Sequence, residues 1–204
     1  MSYIPVTRMT AIFLGILLCV TGCAVKMPPV STYVLTTPTV MASKAPAQTH
    51  YVLLVDPMRA DPGYKTSSMI YLTNPGHLRE FSRNAWVAPP AQLMMPLMVG
   101  HIESKHYFRA VVMQPFTGNT DFRLDTRLVI LQQEFIQPVS QVRCVVHAVL
   151  TNAKTNQVIA SRQFQALVPA PCNNPPSGAA AANQAANLVS EQLAQFVVAN
   201  ISKK

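Results

Sequence analysis

The stretch from residue 122 to residue 166 leaves the chain the least freedom. Phe122, Leu124, Leu128 and Ile130 alternate with Arg123, Asp125 and Arg127, the period of two shown by a strand with one buried and one solvated face. Val142, Cys144, Val146, Ala148 and Leu150 keep the alternation. After a polar connection at 151–157 it returns in Val158, Ala160, Phe164 and Ala166. Three long segments joined by short turns predict an antiparallel meander. The phase falters near Gln132-Gln133, where Phe135 falls out of step, so a β-bulge is expected there. The apolar face of such a sheet needs a cover, and the C-terminal run supplies one. Behind Ser177-Gly178, residues Ala182, Ala185, Val189, Leu193, Phe196 and Val197 form one stripe of a helix, and Lys203-Lys204 suit the negative end of its dipole.

The preceding half reads as shorter pieces. Residues 51–55 form a compact apolar strand ended by Asp56-Pro57, and Asp61-Pro62-Gly63 is turn chemistry. A second strand at 69–72 stops at Asn74-Pro75-Gly76, and 78–86 reads as strand rather than helix. Ala88-Pro89-Pro90 opens a helix with Leu93, Leu97 and Ile102 on one face. Pro96 lies inside that pattern, where it removes a hydrogen bond and clashes with the preceding turn; a kink or a later start is expected. Residues 108–113 return as strand, and Tyr33-Val34-Leu35 suits a short edge strand. The expected fold is α+β: one domain with a mixed, largely antiparallel sheet that includes the C-terminal three-strand meander, packed with a central and a C-terminal helix. Composition agrees, since 50% of residues are apolar and only 12% charged, too apolar for a solvated coil.

The N-terminus is of another kind. An apolar run at 9–20 follows Arg8 with no acidic residue before it, the layout of an export signal. It is too short for a permanent membrane helix, which needs about 20 apolar residues. Leu17-Leu18-Cys19-Val20-Thr21-Gly22-Cys23 resembles a bacterial lipobox, with Val20 where leucine is usual. The resemblance implies cleavage before Cys23 and acylation of that cysteine. Several acyl chains, at ~0.8 kcal/mol per buried methylene, hold a protein on a membrane where one chain is marginal. An ordinary secretory signal cut near Ala24 is the alternative. Ala24, rather than aspartate, after Cys23 implies the outer membrane by the enterobacterial sorting rule, with the domain facing the periplasm. The expected division is therefore 1–22 signal peptide, 23–49 lipidated N-terminus, tether and edge strand, and 50–204 periplasmic domain.

Cys19 leaves with the signal and Cys23 carries lipid, so Cys144 and Cys172 remain in an oxidising compartment where a disulfide persists. If Leu150 pairs with Val158, Cys144 faces Phe164 and Cys172 lies eight residues further on, roughly 26 Å away in extended chain. A bridge needs Cα atoms within about 7 Å, so it depends on the proline-rich segment 169–176 folding back. A bridge and two separate thiols are both open on the sequence.

Chemistry-bearing patterns are sparse. No nucleophile elbow, phosphate loop or dinucleotide fingerprint occurs, and seven glycines leave little material for one. His101 and His106 are five apart, not the i,i+4 spacing of a helical metal pair. Asp56 with Asp61, and Asp121 with Asp125, fit turns and a solvated strand face better than acid–base catalysis. Asp56, Asp125, Glu134 and His147 are accordingly expected to serve stability or assembly, not turnover. No enzyme activity, cofactor or metal is expected. Trp86 and the Met94, Met95, Met98 group read as core filling rather than a lipid-facing surface. The formal charge of +8 comes from scattered lysines and arginines, without the basic run and interleaved aromatics of a nucleic-acid binder.

Several short pieces in order carry a family resemblance: Tyr33-Val34-Leu35; Val55-Asp56-Pro57-Met58-Arg59; Ile70-Tyr71; Asn84-Ala85-Trp86 before Pro89-Pro90-Ala91; Phe108 with Val111-Val112; Arg123-Leu124-Asp125 and Leu131-Gln132-Gln133-Glu134-Phe135; Ala160-Ser161-Arg162-Gln163-Phe164; and the alanine-rich end. Together they resemble the ABC-type transport auxiliary lipoproteins, the paraquat-inducible protein C-like family. Pro96 and the Cys144/Cys172 pair depart from its pattern. The resemblance implies a non-enzymatic partner of an ABC permease/ATPase complex and a mammalian-cell-entry (MCE) family protein, in a system that moves phospholipid or other lipid between the two membranes. It also implies a docking, receiving or ring-forming role, with lipid and further copies of the chain as partners. A structural lipoprotein for outer-membrane protein or secretion-machinery assembly is the alternative.

Overall fold

The computed structural model describes residues 29–36 and 46–202; the export signal, Cys23, Pro38 and Lys203-Lys204 lie outside these. In chain order the elements are β1 (Ser31–Tyr33), β2 (Val52–Val55), β3 (Arg59–Ala60), β4 (Ser68–Leu72), β5 (Leu78–Trp86), α1 (Pro90–Glu103), β6 (Ala110–Met113), β7 (Phe122–Glu134), β8 (Gln141–Asn152), β9 (Val158–Pro169) and α2 (Pro175–Ile201). Together they form an α+β domain.

All nine strands share one sheet organised on β7. One edge of β7 carries β8 along its whole length, from Phe122↔Asn152 to Glu134↔Gln141, and β9 continues the antiparallel meander outside β8. The other edge is shared in succession by β2, β3 and β4, each parallel to β7, through Leu53↔Phe122, Arg59↔Arg127 and Ile70↔Gln132. The chain thus climbs one side of β7 in three steps. Pro57 and Pro62 interrupt it, because proline cannot donate to a ladder. Asp56 and Asp61 bridge the gaps, donating their N–H groups to Leu124 O at 3.0 Å and Leu128 O at 2.9 Å. Strand β6 lies outside β2; β5 and then β1 lie outside β4. Both early turns form as expected: Gly63 and Gly76 sit at φ +95° and +80°, where glycine carries no Cβ penalty.

Both helices cover one face. Helix α2 lies across β8 and β9, and α1 packs on α2. The expected α2 stripe is the buried one, from Ala182 and Ala185 through Val189 and Leu193 to Phe196 and Val197. Its alanines let the helix approach the sheet closely. Asn174 caps it, the side-chain oxygen accepting from Ser177 N at 2.9 Å, with Pro175 and Pro176 in the first turn. Leu53, Val55, Leu124, Leu128, Leu97, Met98, Ile102 and Leu193 meet in the core, each no more than 1% exposed. Each such side chain contributes about 1.5–3 kcal/mol on burial. Trp86 and Met94 are core residues too.

Three local expectations are corrected. Of the two outcomes expected at Pro96, a kink or a later start, the later start is the one overturned: α1 runs through Pro96, which lies on the exposed side. The carbonyl that Pro96 cannot pair, one turn earlier, belongs to exposed Gln92. The buried stripe of α1 is Ala91, Met94, Leu97, Met98 and Ile102, with Leu93 only half-buried. The β7 bulge falls between Leu128 and Ile130, ahead of Gln132-Gln133. Ile130 therefore leaves the face of Leu128, and Leu131 takes the place opposite Cys144. In the β8–β9 hairpin, Leu150 pairs with Ala160, not Val158, because a one-residue irregularity follows at Thr151↔Val158. The displacement is two residues, so Phe164 and Ala166 keep the inward face as expected, whereas Val158, beyond the irregularity, is exposed rather than inward.

Candidate functional site

The face of the sheet away from the helices carries a series of ion pairs. Arg123 Nε lies 2.7 Å from Asp56 Oδ2 and 3.3 Å from Asp125 Oδ2, and Arg127 Nη1 lies 3.2 Å from Asp61 Oδ1. These pairs tie the interrupted β2–β3 edge to β7. Gln114 Nε2 also donates to Asp56 Oδ1 at 2.7 Å. Burial pushes the Asp56 carboxyl above its ordinary range, against the pull of Arg123. At the end of β2, Asp121 Oδ2 accepts from Val52 N at 2.9 Å while Lys154 Nζ lies 2.9 Å from Oδ1. Both hydrogen bonds hold Asp121 below the usual carboxylate range.

The bulge builds the second cluster. By shifting the phase of β7 it turns Gln132 and Glu134 to the open face and Gln133 to the helices. Arg143 grips Glu134 with Nε and Nη2 at 2.7 and 3.0 Å. Gln132 Nε2 donates to Glu134 Oε1 at 2.9 Å, and Tyr64 Oη donates to Gln132 Oε1 at 2.5 Å. Burial opposes ionisation of Glu134, but the Arg143, Gln132 and Gln141 hydrogen bonds and the Arg143 charge outweigh it and lower its pKa. Burial pushes the Tyr64 hydroxyl up to about 12. On the helix side, Gln133 Nε2 donates to Ser140 Oγ at 2.9 Å, and its Oε1 lies 2.0 Å from where a Cβ on residue 178 would stand. Gly178 is what admits that amide.

Each acid of these clusters is matched to a cation that fixes two chain segments, an arrangement suited to holding a sheet together. His147 Nε2 lies 3.0 Å from Ser161 Oγ on the open face, and among the described residues no carboxylate pairs with His147. No group of three His, Cys, Asp or Glu able to hold a metal occurs among the described residues. His106 sits in the turn after α1 at φ 49°, while His101 lies between the helices against Glu191 and Asn187. Cys144 is buried in β8 and Cys172 exposed before α2, and the bridge considered between them is not formed in this structure. Burial pushes the Cys144 thiol up to about 12. The sequence reading missed Asn183 and Asn187, which grip the arm after β1: Thr36 N donates to Asn183 Oδ1 at 2.7 Å, and Asn187 Nδ2 donates to Thr36 O at 3.0 Å. Their i,i+4 spacing beside an alanine stripe was the available signal. A shallow groove of about 640 Å³ also runs between β9 and α2, with Phe164, Phe196 and Arg162 in its walls.

No helix of the described residues is long and apolar enough to cross a membrane. No curated protein matches the sequence. Among solved structures the fold is similar to that of a Xanthomonas campestris protein, at TM-score 0.76 and 21% identity over 85% of this chain and 97% of that one. An uncharacterized protein follows at TM-score 0.66 and 14% identity, over 83% and 99% of the two chains. A hypothetical protein from Chlamydia trachomatis shares the fold at TM-score 0.50 and 8% identity, over 75% and 96%. The family described as ABC-type transport auxiliary lipoprotein component matches residues 33–194, from β1 through most of α2. The chain belongs to the ABC-type transport auxiliary lipoprotein family.

Proposed function

We propose that the protein is a periplasm-facing lipoprotein held on the outer membrane through Cys23, and a non-enzymatic component of an ABC/MCE-type system moving phospholipid or another lipid between membranes. The observation that carries this reading is the family match over residues 33–194. The Leu17–Cys23 lipobox supports the anchor, and Ala24 after the cysteine supports the outer membrane. The ion-paired open face supports a scaffold or docking role over catalysis, since its carboxylates are engaged in holding β2 and β3 to β7 and Arg143 to Glu134.

Genetic epistasis tests the role. Deleting this gene should disturb outer-membrane lipid balance in the way that deleting the partner MCE gene does, and the double deletion should add little. Strongly additive defects would sink the transport reading and favour a part in outer-membrane protein or secretion-machinery assembly.

A further inference from the structure

Strand β9 lies at an edge of the sheet, and among the described residues it pairs only with β8. The ladder tells which of its backbone groups are free. Ala170 N donates to Ser140 O at 2.7 Å, and past the other end of β8 Ala153 N donates to Asp121 O beside β7 at 3.0 Å. Bonded and non-bonded pairs alternate in an antiparallel ladder, so odd-numbered residues of β8 bond to β7 and even-numbered ones to β9. On β9 the bonded partners are Arg162, Phe164 and Ala166. Ser161, Gln163, Gln165 and Leu167 therefore turn N–H and C=O outward, and all four residues are exposed. A proline and a register irregularity, two devices that blunt an edge, stand only at its ends, at Pro169 and Val158. Beside the open stretch runs the groove against α2, where the Phe164 and Phe196 rings meet edge-on with centroids 5.3 Å apart. Arg162 is exposed on that side, its guanidinium 5.5 Å from the Phe164 centroid. Among the described residues no carboxylate pairs with it.

We propose that the free edge of β9 accepts an extended segment of a partner protein as a further strand, with an acidic side chain opposite Arg162 and an apolar one, two residues away, over Phe164. Strands add to free edges through main-chain bonds, and alternate side chains supply the specificity. The outward groups of Ser161, Gln163, Gln165 and Leu167 supply those bonds. Successive side chains of the newcomer point to opposite faces. One set meets Arg162 and Phe164 in turn along the groove, and the other stands beside Gln163 and Gln165 on the open face. A charge on the inner side of an edge strand excludes an apolar or like-charged newcomer. It admits a strand that brings its own carboxylate. A second copy of this chain does not meet that condition: β9 contains no Asp or Glu, so pairing it with itself adds a second Arg162 and no acid. The formal charge of +8 also opposes a second copy. The assignment stands on the edge, its register and Arg162, and not on the transport role.

The test uses the full chain in detergent micelles and the capped peptide Thr-Val-Thr-Leu-Thr-Glu-Thr-Val. Laid antiparallel on β9, it places Glu opposite Arg162 and Leu opposite Phe164. Hydrogen exchange read by NMR follows each amide. In the free chain Ser161, Gln163, Gln165 and Leu167 should exchange fast, and Arg162, Phe164 and Ala166 slowly. Peptide at up to about 5 mM should slow the outward amides and leave the others as they were. Lysine in place of the glutamate should raise the concentration needed roughly three- to tenfold, as an exposed ion pair gives way to like charges. Arg162→Glu should reverse the order of the two peptides. Methylating the threonine amide nitrogens should abolish protection. Gln163→Pro should weaken it without disturbing the β8 ladder, which does not use that N–H; the peptide series on the unsubstituted chain suffices if either variant fails to fold. Outward amides that stay fast with the glutamate peptide, or that respond alike to both peptides, overturn the proposal. Protection already present without peptide overturns it too: where it grows with protein concentration a second copy holds the edge, and where it does not the chain's own segment does. Failure of the transport role in the deletion experiment would leave these readouts unchanged, so the two outcomes are distinguishable.

Discussion

Glu134 is only 4% exposed, and its two oxygens are taken by Arg143, Gln132 and Gln141. Because those partners hold its pKa below the ordinary 4.5, its contribution to stability is present above that value. It is lost as pH falls through the lowered folded value. Asp56 has the opposite sign: burial raises its pKa, so the folded state holds that proton more tightly and gains from acidification. Glu134→Gln separates the two. It leaves half-buried Arg143 without its carboxylate and should cost about 2–3 kcal/mol at neutral pH. The difference from the unsubstituted chain should shrink as pH falls through the lowered folded value, below which both carry a neutral side chain. Urea unfolding followed from neutral pH down into acid measures it, and a difference that persists undiminished across the whole acid range refutes the ionic origin.

At the scale of elements, the periods in the sequence carried most of the information. The alternation in β7, β8 and β9 and the stripe of α2 were legible because each buries one face, so pattern and packing agree. The bulge was not. Val129-Ile130-Leu131 is apolar throughout, so nothing local marks where the phase slips, and the disturbance surfaces only at Gln132-Gln133. The Glu134 cluster was hidden for the same reason, since its membership depends on which way Gln132 and Glu134 point. Parallel pairing of β2, β3 and β4 with β7 is a long-range fact that short apolar runs cannot carry. Pro96 was visible, but its consequence depended on which side of α1 faces water. Since it lies on that side, its cost is confined to one missing backbone bond and ring crowding. Pro96→Ala should therefore stabilise the domain by about 1–2 kcal/mol, less than the full helix penalty of proline because alanine also frees the unfolded chain. A denaturation midpoint that rises at unchanged slope is the expected readout; a fall would mean that proline at this position helps to seat Met94 and Met98 against the core.

At the scale of the whole molecule, the distribution of apolar surface bears on how the protein reaches a membrane. The stripes of α1 and α2 are spent against the sheet and each other, and the opposite face of the sheet is ion-paired through Arg123, Arg127 and Arg143. Large exposed apolar side chains, such as Val34, Met113, Val139 and Val158, belong to separate strands and loops, which is ordinary for a protein surface. Under the proposed acylation of Cys23, membrane residence rests on its acyl chains, and two or more such chains hold where one is marginal. Cys23→Ser should move the protein to the soluble periplasmic fraction, or leave it as an uncleaved precursor. If the anchor does no more than hold the domain to the membrane, the thermal midpoint of the released domain should stay within about 1 °C of the detergent-solubilised lipoprotein. Fractionation and the N-terminal mass decide it. A Cys23→Ser protein that is processed, folded and still sediments with membranes would show that the domain binds the membrane or a membrane partner through its own surface, and the anchor would be secondary.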